Sequence, residues 1–262
     1  MLEVRNLRFS LDGVPKYWHG RGRAVTIYFD GLSIFFPAGE RFFISSVRAP
    51  RQYAEAELQR DDALFTAQEG IHGREHDGYN AHLASSGYPV ARLEKKVERL
   101  LRFAKTVLPK RAQLAVTCAL EHYTASMALL VLGDPKNLEG ADPNMAALWR
   151  WHAAEESEHK SVAFDVFRAA GGTEVERMGM MLVASAFFWV KVLEHQVVMM
   201  HADGCLTSAE EWSKLGRFLF VDPAGMWSLG RGWLKYFRPG FHPHDVDDSA
   251  LLEAWRQSLL PA

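Results

Sequence analysis

Gln68-Glu69-Gly70-Ile71-His72-Gly73-Arg74-Glu75-His76 and Glu155-Glu156-Ser157-Glu158-His159-Lys160 decide how this chain is read. Each stretch holds a Glu-x-x-His pair, Glu69/His72 and Glu156/His159. On an α-helix, residues three apart share a face, so a carboxylate and an imidazole at this spacing can grip one ion. The faces extend the signal. Asp62, Phe65, Glu69, His72, His76 and Tyr79 recur at spacings of three and four, as do Trp149, His152, Glu156, His159 and Ala163. A solvated stripe does not carry Phe, Trp and Tyr in phase with its charges. If these faces point inward, the carboxylates must be paired or bound to metal, because a lone buried charge is very costly.

Working outward, two more acids lie among apolar neighbours: Glu40 in Phe36-Pro37-Ala38-Gly39-Glu40-Arg41-Phe42-Phe43, and Glu121 in Val116-Thr117-Cys118-Ala119-Leu120-Glu121. The order is Glu40, Glu69-x-x-His72, Glu121, Glu156-x-x-His159, with gaps of 29, 52 and 35 residues that each leave room for a helix and a connection. One helix gives Glu, the next gives Glu-x-x-His, and the pattern repeats. This is the ligand order of a dinuclear carboxylate centre inside a four-helix bundle. Four carboxylates and two imidazoles carry a charge of −4 and would neutralise two divalent cations. The alternative for the same residues is a set of buried or surface ion pairs. A single Glu-x-x-His favours that alternative; the ordered set on apolar helices reverses it.

The rest of the chain supports a helical frame. Helical periodicity and punctuation predict helices near 32–48, 52–84, 91–105, 110–132, 143–170, 174–201, 208–219, 224–236 and 247–258. Thr173-Glu174-Val175-Glu176 and Thr207-Ser208-Ala209-Glu210 read as capping boxes. Asp142-Pro143 and Asp222-Pro223 read as an N-cap followed by Pro at the first helical position. Ala24-Val25-Thr26-Ile27-Tyr28-Phe29 is β-branched and aromatic, and reads as a short strand or an extended arm. The expected organisation is one helical domain over residues 1–262. It comprises an arm (1–30), a metal-binding core (31–201) and a C-terminal helical appendage (202–262).

Composition narrows the function. The chain has 262 residues, 48% hydrophobic and 24% charged, with a formal net charge of −2. That balance is globular rather than disordered and offers no basic excess for nucleic acid. Two cysteines, Cys118 and Cys205, suit a reducing compartment. The longest run free of charged residues and histidine, Met178 to Val190, is thirteen residues. A membrane span needs about 20, so a soluble, cytoplasmic protein is expected. The sequence holds no P-loop, no GxSxG and no HExxH.

At this point the chain resembles the ferritin-like di-iron carboxylate superfamily. More narrowly, it resembles the bacterial family labelled "predicted metal-dependent hydrolase". The stretches that carry the narrower resemblance are residues 36–43, 68–76, 155–160 and Tyr236-Phe237-Arg238-Pro239-Gly240-Phe241-His242-Pro243. The resemblance implies an all-α, ferritin-like four-helix bundle with two metal ions between its helices. Glu69 and Glu121, or Glu40 and Glu156, would be the bridging acids, and His72 and His159 would be terminal ligands, one per metal. Some oxygenases of the superfamily use a seventh, histidine ligand. His76, one turn beyond His72, is the first candidate here and His195 the second. His152, one turn before Glu156, is a further ligand or a hydrogen-bond partner to one.

Carboxylate oxygens with two imidazoles suit two iron ions, with manganese, a mixed Fe/Mn pair or zinc as alternatives. The expected chemistry is activation of O2 to oxidise an apolar or aromatic small molecule, with an electron donor. Phe65, Tyr79 and Trp149 motivate that substrate. Hydrolysis by a metal-activated water is the alternative, and a non-enzymatic iron-binding or redox-sensing role the third. Glu155 and Glu158 are expected to face solvent or pair with Lys160 and Arg150, and His122 to be a satisfied structural histidine. Asp62 and Asp165 are read equally as surface acids or as acceptors for ligand histidines. Trp212, Trp227, Trp233, Tyr236, Phe237 and Phe241 interleave with Arg217, Arg231, Lys235 and Arg238. They are expected to pack as a subdomain or a homodimer interface in preference to lying on a membrane surface.

Overall fold

The computed structural model describes residues 2–48 and 55–258. Its helices are α1 (Arg23–Ser33), α2 (Phe36–Arg48), α3 (Ala56–Ser85), α4 (Val90–Val107), α5 (Lys110–Gly133), α6 (Pro143–His159), α7 (Val162–Ala169), α8 (Glu174–Ala202), α9 (Ala209–Phe220), α10 (Gly225–Tyr236) and α11 (Ser249–Ser258). No strand occurs among the described residues. The protein is all-helical. The first residues of the helix expected from 52 lie outside the described chain.

Capping chemistry sets most boundaries. Thr173 accepts from Glu176 N while Glu176 reaches back, closing the expected capping box of α8. Asp142 caps α6 through Asn144 N and Met145 N. The other two expected caps shift. Ser208, not Thr207, caps α9 by accepting from Glu211 N. Asp222 does not cap α10, whose N-cap is Ala224; its carboxylate instead takes Arg21 and Lys136. Arg21 and Lys136 offer charge-assisted bonds, which are stronger than a neutral backbone donor.

The β-branched run Ala24–Phe29 is not a strand or arm. It is the body of α1, buried at Ala24, Val25, Ile27, Phe29 and Leu32. Burial of this apolar surface against α8 and α9 outweighs its modest β preference, a difference of about 1 kcal/mol at most. Two expected continuous helices are also interrupted. The helix expected over 32–48 breaks at Ile34–Phe35, between the end of α1 and the start of α2. Pro37 causes this break, since it has no N–H to give to the Ser33 carbonyl. Asn80 Nδ2 turns to that freed carbonyl at 3.5 Å. The helix expected over 143–170 breaks after His159, and Lys160 there reaches Val246 O and Asp248 near the C-terminus.

Four elements position the site. α2 packs along α3, α5 along α6, and contacts of α2 with α5 and of α3 with α6 and α7 close the ring. Helix α8 lies outside this ring against α5 and α1, while α10 and α11 cover other parts of α5. Two of the helices, α5 and α8, are long and apolar enough to cross a membrane by length and composition. Most of the α5 window is buried in the protein, whereas only 28% of the α8 window is.

Candidate metal centre

Glu40 comes from α2, Glu69 and His72 from α3, Glu121 from α5, and Glu156 and His159 from α6, so each wall of the ring contributes. All six side chains are buried. Five of them gather with His152 as two adjoining clusters of ligand atoms, each within 4.8 Å: Glu40, His72 and His152, and Glu69, Glu156 and His159; Glu121 belongs to neither cluster and lies beside the second. Glu156 stands between them. Its Oε1 lies 3.0 Å from His152 Nε2 and 3.6 Å from His72 Nδ1, while its Oε2 lies 3.6 Å from His159 Nε2. Glu69 Oε1 and Glu121 Oε2 approach the same His159 nitrogen at 3.2 and 3.5 Å. His72 and His159 thus sit in separate clusters.

The hydrogen-bond accounting is one-sided. Both carboxylate oxygens of Glu40, Glu69 and Glu121 lack a hydrogen-bond partner, as do Glu156 Oε2, His72 Nδ1, His152 Nε2 and His159 Nε2. Buried polar atoms are normally satisfied, and each orphan costs about 1–3 kcal/mol. So many converging on one space fit a group that carries positive charge and accepts lone pairs. Burial, then the neighbouring carboxylates, pushes Glu40, Glu69 and Glu121 well above the usual range. Burial opposes charge on Glu156 too, but His159 and His152 outweigh it and hold that carboxyl low. Burial, then His152, lowers His72 and favours its neutral, lone-pair-bearing form.

The far side of each imidazole is held, and these holding residues define the tautomers. His72 Nε2 donates to Glu155 at 3.0 Å, leaving Nδ1 toward the cluster. Glu155 is not solvent-facing as expected. It is buried and reached by Arg5 of the N-terminal segment, and burial raises its carboxyl to about 7. Glu158 is half-buried with its side chain enclosed, held by Arg5 and Arg256 and not by Lys160 or Arg150. His159 Nδ1 faces Gln68 Oε1 at 3.1 Å. Because Gln68 Nε2 donates to Glu3 O, the oxygen is the acceptor and His159 Nε2 is left bare.

The third imidazole is set by a longer chain. Asn80 Nδ2 donates to Glu94, so its Oδ1 accepts the Ser33 hydroxyl at 2.8 Å. Ser33 Oγ then has only lone pairs for His76 Nδ1 at 2.9 Å, which must donate. Neutral His76 therefore accepts at Nε2 from His152 Nδ1 at 3.0 Å, and His152 Nε2 presents a lone pair to the cluster. Of the three extra histidines, His152 and not the first-ranked His76 lies in a cluster of ligand atoms. His76 has both nitrogens engaged and stands behind His152. His195 donates from Nδ1 to Gly31 O and stacks on Phe35 at 4.3 Å. Neither cluster includes His76 or His195.

The remaining expectations sort simply. His122 Nε2 meets Gly232 O at 2.9 Å, a satisfied structural histidine. Asp165 pairs with His242 and holds no ligand histidine. Asp62 is buried and takes the Thr66 hydroxyl. Phe65 packs edge-on against His159 at 4.9 Å. Trp149 packs on His76, and Tyr79 donates to Asp30 at 2.6 Å.

Cavities reach the ligands on separate walls. A polar one of about 250 Å³ is bounded by Glu40, Arg41, Glu69, Gly70, Gly73 and Asp77. A small apolar chamber of about 70 Å³ touches His152 and Glu156 and is walled by Phe29, Phe36, Met127 and Trp149 among others.

Comparison with known families agrees with the chemistry of this donor set. Residues 3–247 match the family described as "Predicted metal-dependent hydrolase", and the chain belongs to that family. No curated protein and no solved structure matches it.

Proposed function

We propose that this protein is a dinuclear metal-dependent hydrolase built on a ferritin-like four-helix bundle. The observation that carries the reading is the convergence of unpartnered carboxylate and imidazole lone pairs in two adjoining buried clusters. Glu40, His72 and His152 would hold one cation; Glu69, Glu121 and His159 would hold the other, with Glu156 spanning both through its two oxygens. Four carboxylates balance two divalent ions, and oxygen with imidazole ligation suits iron, manganese or zinc. Such ions would supply Lewis acidity, bringing the pKa of water from 15.7 to about 7 and polarising a carbonyl or phosphoryl oxygen.

The chain's own residues do the rest. Glu155, Gln68 and the Ser33–His76 relay hold three imidazoles with lone pairs inward, the arrangement that raises ligand basicity and fixes ring orientation. The polar cavity beside Gly70 and Gly73 gives water a path to Glu40 and Glu69. The apolar walls of the chamber at His152 and Glu156 would disfavour water on the substrate side.

A second reading, oxidation of an apolar substrate by O2, is favoured by the apolar walls of that chamber, which are dominated by carbon side chains. The test is in two steps. Metal analysis of protein prepared anaerobically is expected to give close to two ions per chain, falling in Glu69→Ala and His159→Ala; full occupancy in both variants overturns the centre. Zinc-loaded protein is then offered a panel of esters, amides and phosphoesters, and ferrous-loaded protein is mixed with O2. Cleavage by the zinc form supports the hydrolase. O2 consumption with an inert zinc form supports the second reading.

A further inference from the structure

A larger cavity lies beyond the chamber, between α2, α4, α5 and α8. Its volume is about 220 Å³, compared with the roughly 150 Å³ that accommodates one benzene ring in an engineered protein cavity. Six of its lining residues, Val97, Leu100, Leu101, Phe103, Ala104 and Val107, run the length of the second half of α4, and Leu108 follows as its C-cap. From Val97 to Val107 that is about 15 Å of helix. So modest a volume over so long a wall is a narrow slot. It shares Leu32, Phe36, Thr124 and Met127 with the chamber that touches His152 and Glu156.

The slot offers few polar groups, and those it has are engaged within the protein. Thr124 Oγ1 donates to Glu121 O, Tyr123 OH donates to Ser185, and Lys191 Nζ is paired with Glu194 at 2.6 Å. The remaining walls are carbon. A ligand bound here is recognised chiefly by length and apolar area, and Glu156 and His152 at the chamber end await its polar, reacting group. At the other end, lining residues reach solvent: Phe103 is 62% exposed, Val107 53%, Phe187 51% and Val183 42%. Exposed apolar side chains grouped in this way mark a surface that a ligand or partner covers, and here they rim the open end of the slot.

We infer that the slot binds the single alkyl or acyl chain of an amphiphile, placing that molecule's reacting group in the chamber beside Glu156 and His152. The inference rests on the reading that the carboxylate–histidine clusters are the reacting centre. It adds the substrate class: a long-chain acyl or alkyl compound, threaded between α4 and α8. A compact aromatic or a sugar would leave most of the slot empty, and a polar ligand would lose hydrogen bonds to water without replacement.

The experiment is direct binding to the full-length, metal-loaded protein, read by fluorescence of cis-parinaric acid. Saturable binding at one chain per protein is expected. Competition by straight-chain fatty acids should strengthen about fourfold per added methylene, the gain expected from burying one CH2, until the slot is full. Ala104→Phe narrows the slot from α4, and Phe187→Ser changes only its entrance. The first is expected to weaken binding at least tenfold with two metals still bound; the second keeps the inference testable if the first fails to fold, by weakening the chain-length dependence. Absence of saturable binding, or binding indifferent to both substitutions and to chain length, overturns the inference. So does a self-associated protein from which both substitutions release monomer without changing probe affinity. Metal content is measured on the same samples. Lost chain binding with two metals retained sinks this inference alone, and chain binding without metal sinks only the dinuclear centre.

Discussion

Asp30 shows how one buried group can set the pH response of the whole chain. Trp18 Nε1 and Tyr79 OH both donate to its Oδ1, at 2.9 and 2.6 Å, yet burial dominates and pushes the carboxyl up to about 7. An unfolded aspartate titrates near 3.9. The folded state therefore holds a proton that the unfolded state has lost. Stability from this group is fully present below about pH 4 and declines as pH rises through about 7. Above that the loss is roughly 4 kcal/mol, an order-of-magnitude figure from the gap between the two values. Asp30→Asn keeps an acceptor for both donors and cannot ionise. Thermal melts should show the variant matching the parent near pH 4–5 and exceeding it at pH 8. An unchanged pH slope would remove Asp30 as its source. His76 offers a second test at this scale. Replacing it with Phe removes the acceptor that keeps His152 Nδ1 protonated. Zn²⁺ or Co²⁺ titration should then show one of two ions weakened about 10- to 100-fold, with recovery in His76→Gln, which still offers an acceptor. Affinities for both ions unchanged from the parent in His76→Phe would mean that the relay does not position His152.

Helix α3 carries the next scale. It runs from Ala56 to Ser85 with Gly70 and Gly73 inside, each costing about 1 kcal/mol relative to Ala. A Cβ on Gly73 would lie 2.9 Å from Glu40 Oε2, so the glycine makes room for a carboxylate from α2. Gly73→Ala is expected to leave the metal-free protein as stable or more so, because the clash falls on the movable end of a side chain. Metal affinity should drop, because Glu40 is displaced. Isothermal titration and melts of the metal-free protein read the two effects separately, and a variant with unaltered affinity would refute the role. The same helices show what the sequence made legible. The spacing of Glu69/His72 and Glu156/His159, and the isolated acids Glu40 and Glu121, were readable because periodicity reports which residues share a face. Glu155 was not. Helix α6 is buried on nearly every side, including Trp151, His152, Glu155 and Glu156, so no solvent face exists from which to subtract it. Ser33, Gln68 and Arg5 were missed for a related reason: their role depends on which ring nitrogen they meet across the bundle, and pattern within one helix carries nothing of that. The β-branched run of α1 misled because local preference is weak beside burial.

At the scale of the whole molecule, the candidate ligands tie together four helices separated by long stretches of chain. They come from α2, α3, α5 and α6, whose mutual contacts close a ring. Without cations, that ring contains Glu40, Glu69 and Glu121 with unpartnered oxygens, and burial and mutual repulsion oppose charge on all three. Anything that binds the folded chain and not the unfolded one stabilises it by mass action, about 4.1 kcal/mol per site at a thousandfold excess over Kd. For a chain of this size each kcal/mol moves Tm by about 2–4 °C. Chelation is therefore expected to lower Tm by roughly 10 °C or more, with full recovery on adding back the divalent ion. Hydrogen exchange should localise the effect. Protection should fall in α2, α3, α5 and α6 on chelation, while α9, which contacts α1 and α10, keeps its own. A Tm indifferent to chelator, in protein shown to have lost its metal, would mean that the four helices are held by packing alone. The clusters would then be a cost that the fold bears without return, and the dinuclear reading would lose its structural rationale along with its thermodynamic one.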